Sequence, residues 1–319
     1  MEKNESLLFV TEKWCDANPN MGLTNNYHNL FSTFKNRFPD NKYSIIHIDE
    51  YALRKKKAID SFLIQHVEKT KPSYIIFSLL GRSSLNPEFE TLTLLREKGS
   101  KIIIMWPDVF PGWGINEIKS LNESAAADLH VCWGNESNIG EEIDNLIWLW
   151  APQDETLYYP SEEKVNNVSF LGSVRYPERQ RYLKHLLLNG VEVLIDGGQR
   201  EKGLTPTKYA ELMRKSKISL NFPQGPDGVD QCKGRVWEII ASKSLLLERK
   251  NNKTSQFLVP SEDYVEFENE EDLVNKINFF LDNEDKMCYI IENAYKKYKS
   301  LYTSDVFWDK VFNELKNEL

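Results

Sequence analysis

The sequence predicts an α/β protein made of two doubly wound parallel-sheet domains in tandem, facing a central cleft. Three observations predict it. Short apolar runs alternate with stretches of helical period along the chain, the pattern of βαβ units. The runs are nearly continuously apolar, as strands covered on both faces are. The alternation breaks once, at residues 151–164, and then resumes. At 319 residues with 41% hydrophobic content, the chain is too long for one ordinary open sheet and can build two cores.

In the first half, strands are expected at 7–10, 43–48, 74–80, 101–106, 129–133 and 147–150. Helical periods lie between them at 27–38, 55–69, 88–98 and 115–121. The segment APQDETLYYPSEEK, 151–164, holds two prolines and four acids without periodicity and reads as an interdomain linker. A second series follows, with strands at 168–172, 191–195, 218–222, 245–248 and 264–267. Its helices are expected at 178–188, 207–215, 235–242, 271–281 and 285–300. The expected domains are therefore 1–152 and 153–303. The tail, 304–319, is an amphipathic helix with Ser304 as N-cap and Phe307, Trp308, Val311, Phe312 and Leu315 on its apolar side. It either packs on its own domain or crosses back to the first.

Charge and cysteine content exclude several classes. A net charge of −8 disfavours sequence-independent nucleic-acid binding, which needs a basic face. Cys15, Cys132, Cys232 and Cys288 are widely spaced, so neither a zinc site nor a disulfide framework is expected. They read as free thiols of a cytoplasmic protein. The four apolar residues at 7–10 are expected to form a strand and not a leader, and no run approaches the length of a membrane span.

The most informative stretch is 221–248, NFPQGPDGVDQCKGRVWEIIASKSLLLE. A strand ends at Phe222, a loop with two prolines and two glycines follows, and a helix opens around Gly234. Such a loop-to-helix junction holds anions on free amides and the helix dipole. Lys233 and Arg235 add positive charge there, and a cation at a helix start is misplaced unless an anion joins it. Arg235 carries a planar fork suited to phosphate. Glu238, one turn along, can accept from a ribose diol, and Asp230 on the loop can reach sugar hydroxyls.

The segment KGRVWEIIASKSLLLE, 233–248, and the following FLVPSEDYVEFENEEDLVNKINFFLDNEDKMCYIIENAYKKY, 257–298, resemble the C-terminal domain of GT-B glycosyltransferases. They are most similar to the CgeB-like branch of the group 1, retaining, transferases. Those enzymes carry an acidic residue, seven intervening residues and a Glu as a donor motif. Asp230 and Glu238 have that spacing, with Asp in place of the usual Glu. The resemblance extends to VSFLGSVRYPERQRYLKHL, 168–186, and to QDETLYYP, 153–160. It implies two Rossmann-like domains, with Glu238 on the donor ribose and Asp230 near the donor sugar. It also implies close backbone approach to the diphosphate at Gly172 and Ser173, with Arg175 or Arg179 reaching it. In the first half the match is confined to MWPDVF, 105–110, where related chains carry an aromatic residue and an Asp facing the cleft.

The expected function is transfer of a sugar from a UDP-, GDP- or TDP-sugar to a glycan or other acceptor. No DxD-type motif is present, so metal independence is expected, with Lys233, Arg235 and the helix start neutralising the leaving diphosphate. The acceptor is expected near 106–113 and Gly22, with Asp108 as general base should the reaction invert. Trp113 either lines the acceptor cleft or packs, Gly22 either admits a ligand or makes a turn, and His130 reads as a core histidine. Two alternatives are a degenerate GT-B module that binds a glycan or partner, and a GT-B-fold nucleotide-sugar epimerase.

Overall fold

A computed structural model of the chain describes residues 6–24, 26–39, 42–55, 58–79, 83–107, 109, 114–134, 143, 145–196, 204–225 and 228–317. The chain divides into two compact units, Met1–Leu149 with Asp305–Leu319, and Trp150–Ser304. Each is an α/β unit around one parallel sheet, the fold class expected.

The first unit has six strands, β1 (Leu7–Thr11), β2 (Tyr43–His47), β3 (Tyr74–Ser78), β4 (Lys101–Trp106), β5 (Leu129–Trp133) and β6 (Leu146–Leu149). They pair in parallel in the order β2-β1-β3-β4-β5-β6. Its helices are α1 (Thr33–Arg37), α2 (Ile48–Lys55), α3 (Asp60–Thr70), α4 (Phe89–Glu97) and α5 (Ile115–Glu123). Apolar residues run continuously because both faces are covered. On one face Leu8, Val10, Ile75, Phe77, Ile102 and Ile104 form a core with Leu63, Leu92 and Ile118 from the helices. On the other, Phe9 meets Phe34 at 5.5 Å and Trp308 of the C-terminal helix at 6.4 Å. That helix, Ser304–Asn317, thus supplies a wall of the first unit. Trp308 is fully buried, and its indole N–H donates to Thr33 Oγ1 at 3.1 Å.

Local differences from the expected elements have physical causes. The helix expected at 27–38 opens as a π-helical turn, Tyr27–Ser32, before α1. The Thr33 hydroxyl there donates to the carbonyls of Asn29 and Leu30. The helix expected at 55–69 is α3, beginning at Asp60, and α2 before it was not expected. α2 starts straight after β2, where the Asp49 carboxylate, buried, accepts from the amides of Lys13, Trp14 and Glu50. α3 starts at Asp60, whose carboxylate ties down Glu88 N and Thr91 Oγ1.

The second unit has five parallel strands, β7 (Asn166–Leu171), β8 (Leu194–Asp196), β9 (Ser216–Asn221), β10 (Leu245–Arg249) and β11 (Val265–Phe267), in the order β11-β10-β9-β7-β8. Its helices are α6 (Pro177–Leu188), α7 (Pro206–Arg214), α8 (Gly234–Ala241), α9 (Glu270–Asp282) and α10 (Glu284–Leu301). Phe222 centres an aromatic cluster with Phe170, Tyr182 and Phe267 at 5.3–5.8 Å. The segment read as a linker is firmly built at its start: Trp150, Ala151, Gln153 and Asp154 are buried. Glu155 accepts from Ser304 N and Oγ and from the Tyr298 hydroxyl. Its irregular composition therefore reflects specific side-chain anchoring in place of secondary structure. Among the described residues no helix is long and apolar enough to cross a membrane.

Trp308→Ala removes a buried indole from the Phe9 and Phe34 rings, a loss of about 3–5 kcal/mol. In differential scanning calorimetry the transition of the first unit is expected to move to lower temperature. An unchanged profile would contradict this packing.

Candidate functional site

In each sheet the first strand lies between the second and the third, so the chain reverses direction across the sheet there. Ligands of doubly wound folds bind at the carboxyl ends of strands flanking this reversal. In the second unit that point lies between β7 and β9, where Gly172 follows β7 and Phe222 follows β9. Lys233 then leads into α8. The first amides of a helix have no partners within it and favour an anion.

Arg235 occupies the first turn of α8 and lies directly on Gly172. A Cβ at position 172 would overlap its guanidinium, 2.9 Å from Cζ, so any larger residue there displaces Arg235. The guanidinium covers the Phe170 ring at 5.2 Å and donates from NH1 to Asn221 Oδ1 at 2.9 Å. Asn221 Nδ2 donates in turn to Glu248 Oε1 at 2.5 Å. Glu248, on β10, is fully buried. Burial pushes its carboxyl up to about 7, against the hydrogen bond from Asn221.

Glu238 is only 7% exposed, because α8 is buried along Val236–Ala241. The Tyr209 hydroxyl lies 2.9 Å from its Oε2 and 3.2 Å from the Leu171 carbonyl. Burial raises the Glu238 carboxyl, while Arg235 and hydrogen bonds from Tyr209 and Tyr158 act in the opposite direction. Tyr158, from the irregular segment after β6, is itself buried.

The remaining candidates surround this centre. Asp230 pairs with Arg249, which also meets Glu178 at 2.8 Å. Lys233 is the N-cap of α8 and its ammonium bonds Gln231 Oε1. Gly234 opens the helix, and its carbonyl accepts from Gln153 Nε2 at 3.3 Å. Arg179 is 5% exposed, donates to the Ser173 carbonyl at 2.9 Å and lies 4.4 Å over the Tyr176 ring. Burial, then the nearby Arg235, lower it to about 10, so it stays charged at neutral pH. Arg175 is exposed and turned onto Tyr176. The structure thus brings Gly172, Ser173, Arg179 and Arg235 into one connected group, with Glu238 joined through Tyr209. Phe170, Asn221, Glu248, Tyr209 and Tyr158 belong to it without having been singled out in the sequence. Of these, only Asn221 and Glu248 carried a signal, as polar interruptions of otherwise apolar strands.

In the first unit, Asp108 and Trp113 lie outside the described residues. Trp106 turns into the core and donates to His130 Nδ1 at 3.0 Å. His130 Nε2 then donates to Asn122 Oδ1 at 2.9 Å, and burial lowers the ring to about 3, so it stays neutral. Gly22 closes a 3-10 turn with φ +79°. At the reversal point of this sheet, Thr11 and Ser78 stand opposite one another. Their buried hydroxyls find no partner among the described residues.

A carboxyl raised from the ordinary 4.5 to about 7 binds its proton more tightly in the folded chain. Its contribution to stability is full below about pH 4.5 and falls until about pH 7. The total is roughly 3 kcal/mol at about 1.4 kcal/mol per pH unit. Glu248→Gln is therefore expected to exceed the wild type in stability above pH 7, with the difference vanishing near pH 4.5 in urea unfolding. A difference independent of pH would contradict it.

Comparison with known proteins places this geometry. The glycosyl transferase-like family model matches residues 152–313, just over half of the chain. No curated protein matches. Among solved structures, Anabaena HepE in complex with UDP is similar over 98% of this chain and 100% of its own, with a TM-score of 0.65 at 11% identity. HepE was also solved with UDP-glucose, similar over 98% of this chain and 99% of its own at a TM-score of 0.58 and 12% identity. A glycosyltransferase from Rickettsia africae matches over 98% of each chain, with a TM-score of 0.65 at 11% identity. The fold is theirs, and the matched segment contains the whole group around Arg235: this chain belongs to the glycosyl transferase-like family.

Proposed function

We propose that the chain transfers a sugar from a nucleoside diphosphate sugar to an acceptor, with retention at the anomeric carbon, without a metal ion, and in the manner of the CgeB-like branch. One observation carries the donor site. In a chain of net charge −8, Arg179 and Arg235 converge on the turn after β7, beside the start of α8 and its N-cap Lys233. The diphosphate lies on the α8 amides and the Gly172–Ser173 turn, facing Arg235, Lys233 and Arg179. Glu238, oriented by Tyr209 and Tyr158, takes the ribose hydroxyls. Asp230, held by Arg249, faces the sugar. UDP is the first nucleotide to test, since HepE was solved with UDP and with UDP-glucose.

Charge develops on the diphosphate as the bond from the anomeric carbon to its oxygen breaks through an oxocarbenium-like state. Fixed cations and helix amides stabilise that charge without reorganising. The acceptor hydroxyl forms the new C–O bond on the same face, and its proton passes to the leaving phosphate. The acceptor, a glycan or another hydroxyl compound, binds to the first unit near Thr11, Ser78 and Gly22, and the enzyme works in the cytoplasm. Were the reaction to invert, Asp108 would be the general base to test.

Calorimetric titration with UDP, GDP, TDP and ADP, without added metal, is expected to show binding of one nucleotide. Arg235→Ala is expected to weaken it about tenfold or more, over about 1.4 kcal/mol. A folded protein that binds none of the four overturns the donor reading. EDTA is expected to leave the rate of donor turnover within about twofold, whereas an enzyme using a divalent ion on the diphosphate would lose it.

A further inference from the structure

We propose that Glu248 is a positioning residue for the donor diphosphate, acting through Asn221 on Arg235; this rests on the donor reading above. Arg235 lies against Gly172, and its direction decides whether a phosphate there meets a fork of donors. A guanidinium can only donate. Its NH1 therefore needs the oxygen of the Asn221 amide, found at 2.9 Å. An amide is nearly symmetric in shape, and turned by half a revolution it would set its NH2 against the guanidinium, donor against donor. The group that prevents this is Glu248, whose Oε1 accepts from Asn221 Nδ2 at 2.5 Å.

The pair is built into the sheet. Asn221 closes β9, and Glu248 stands opposite it in register on β10, both fully buried. Neither side chain has freedom to search for another partner. A buried carboxyl costs stability that an apolar residue at the same place would not. Its neighbours Leu245, Leu246 and Leu247 are all buried and apolar, so the strand needs no acid for packing. What Glu248 adds is an acceptor at the one point where Asn221 must be held. Without it the amide loses its orientation, and Arg235 loses its anchor beside Phe170 and Gly172. The consequence falls on the diphosphate and leaves the nucleoside contacts in place.

The test uses the full chain and compares UDP, by calorimetry, with uridine, by ligand-observed NMR. Circular dichroism confirms the fold of each variant. Glu248→Leu and Asn221→Ala are each expected to weaken UDP about tenfold while uridine changes less than about twofold. Glu248→Gln keeps an acceptor oxygen and is expected to recover most of the affinity lost in Glu248→Leu. In an Arg235→Ala background, Glu248→Leu is expected to have no further effect on UDP, because the two act in series. Equal loss of UDP and uridine, no loss of UDP, or full additivity with Arg235→Ala overturns the proposal. Should Glu248→Leu not fold, Glu248→Ser, too short to reach Asn221, takes its place under the same criteria. A wild type that binds no nucleotide overturns the donor reading and this proposal with it. A wild type that binds UDP as tightly as Glu248→Leu does overturns this proposal alone.

Discussion

Arg235 is a cation placed in the first turn of a helix, where the backbone dipole repels cations. Much of the second unit's carboxyl edge is arranged around that conflict. Gly172 gives the guanidinium room, Phe170 gives it a π-face, and Asn221 gives it an acceptor. Glu248 fixes the Asn221 amide, and Tyr209 links the same neighbourhood to Glu238. An anion at the helix start relieves the repulsion that these contacts only contain. The free chain therefore carries that repulsion at the expense of some stability.

The architecture was legible because it rests on local pattern. Continuous apolar strands such as 101–106, and helices of clear period such as 271–281, read directly from burial on two faces and one face. The motif 230–238 was legible through spacing and charge. The partners Asn221, Glu248, Tyr209 and Tyr158 were not, because they are assembled from two neighbouring strands, a helix and an irregular segment. In a single sequence Glu248 looks like the polar end of an apolar strand. Glu238 was read as a ribose ligand, but its burial was not foreseen, although the neighbouring Val236, Trp237, Ile239 and Ile240 spell a helix buried all round. Asp49, which fixes the start of α2 through three backbone amides, was hidden for the same reason: its partners lie 35 and 36 residues away, save Glu50.

Both sheets begin with the strand order second, first, third, yet the two reversal points differ in chemistry. The carboxyl ends of the second unit's strands carry charge: arginines, a lysine and paired carboxylates. The first offers hydroxyls, those of Thr11 and Ser78, beside a neutral Trp106–His130–Asn122 network. Solved relatives at 11–12% identity retain the fold, so the scaffold tolerates wholesale replacement of its sequence.

The C-terminal helix closes the Phe9 face of the first sheet, although its residues follow the whole second unit in the chain. During synthesis the first sheet therefore emerges with one flank uncovered. Phe9 and Phe34, packed by then on Phe31, Phe38 and Tyr43, lack Trp308 while some 150 further residues are added. The second unit has no such dependence and can complete its core as soon as α10 is made. The part of the protein that begins first thus finishes last, with an aromatic flank that stays incompletely covered until the final helix leaves the ribosome.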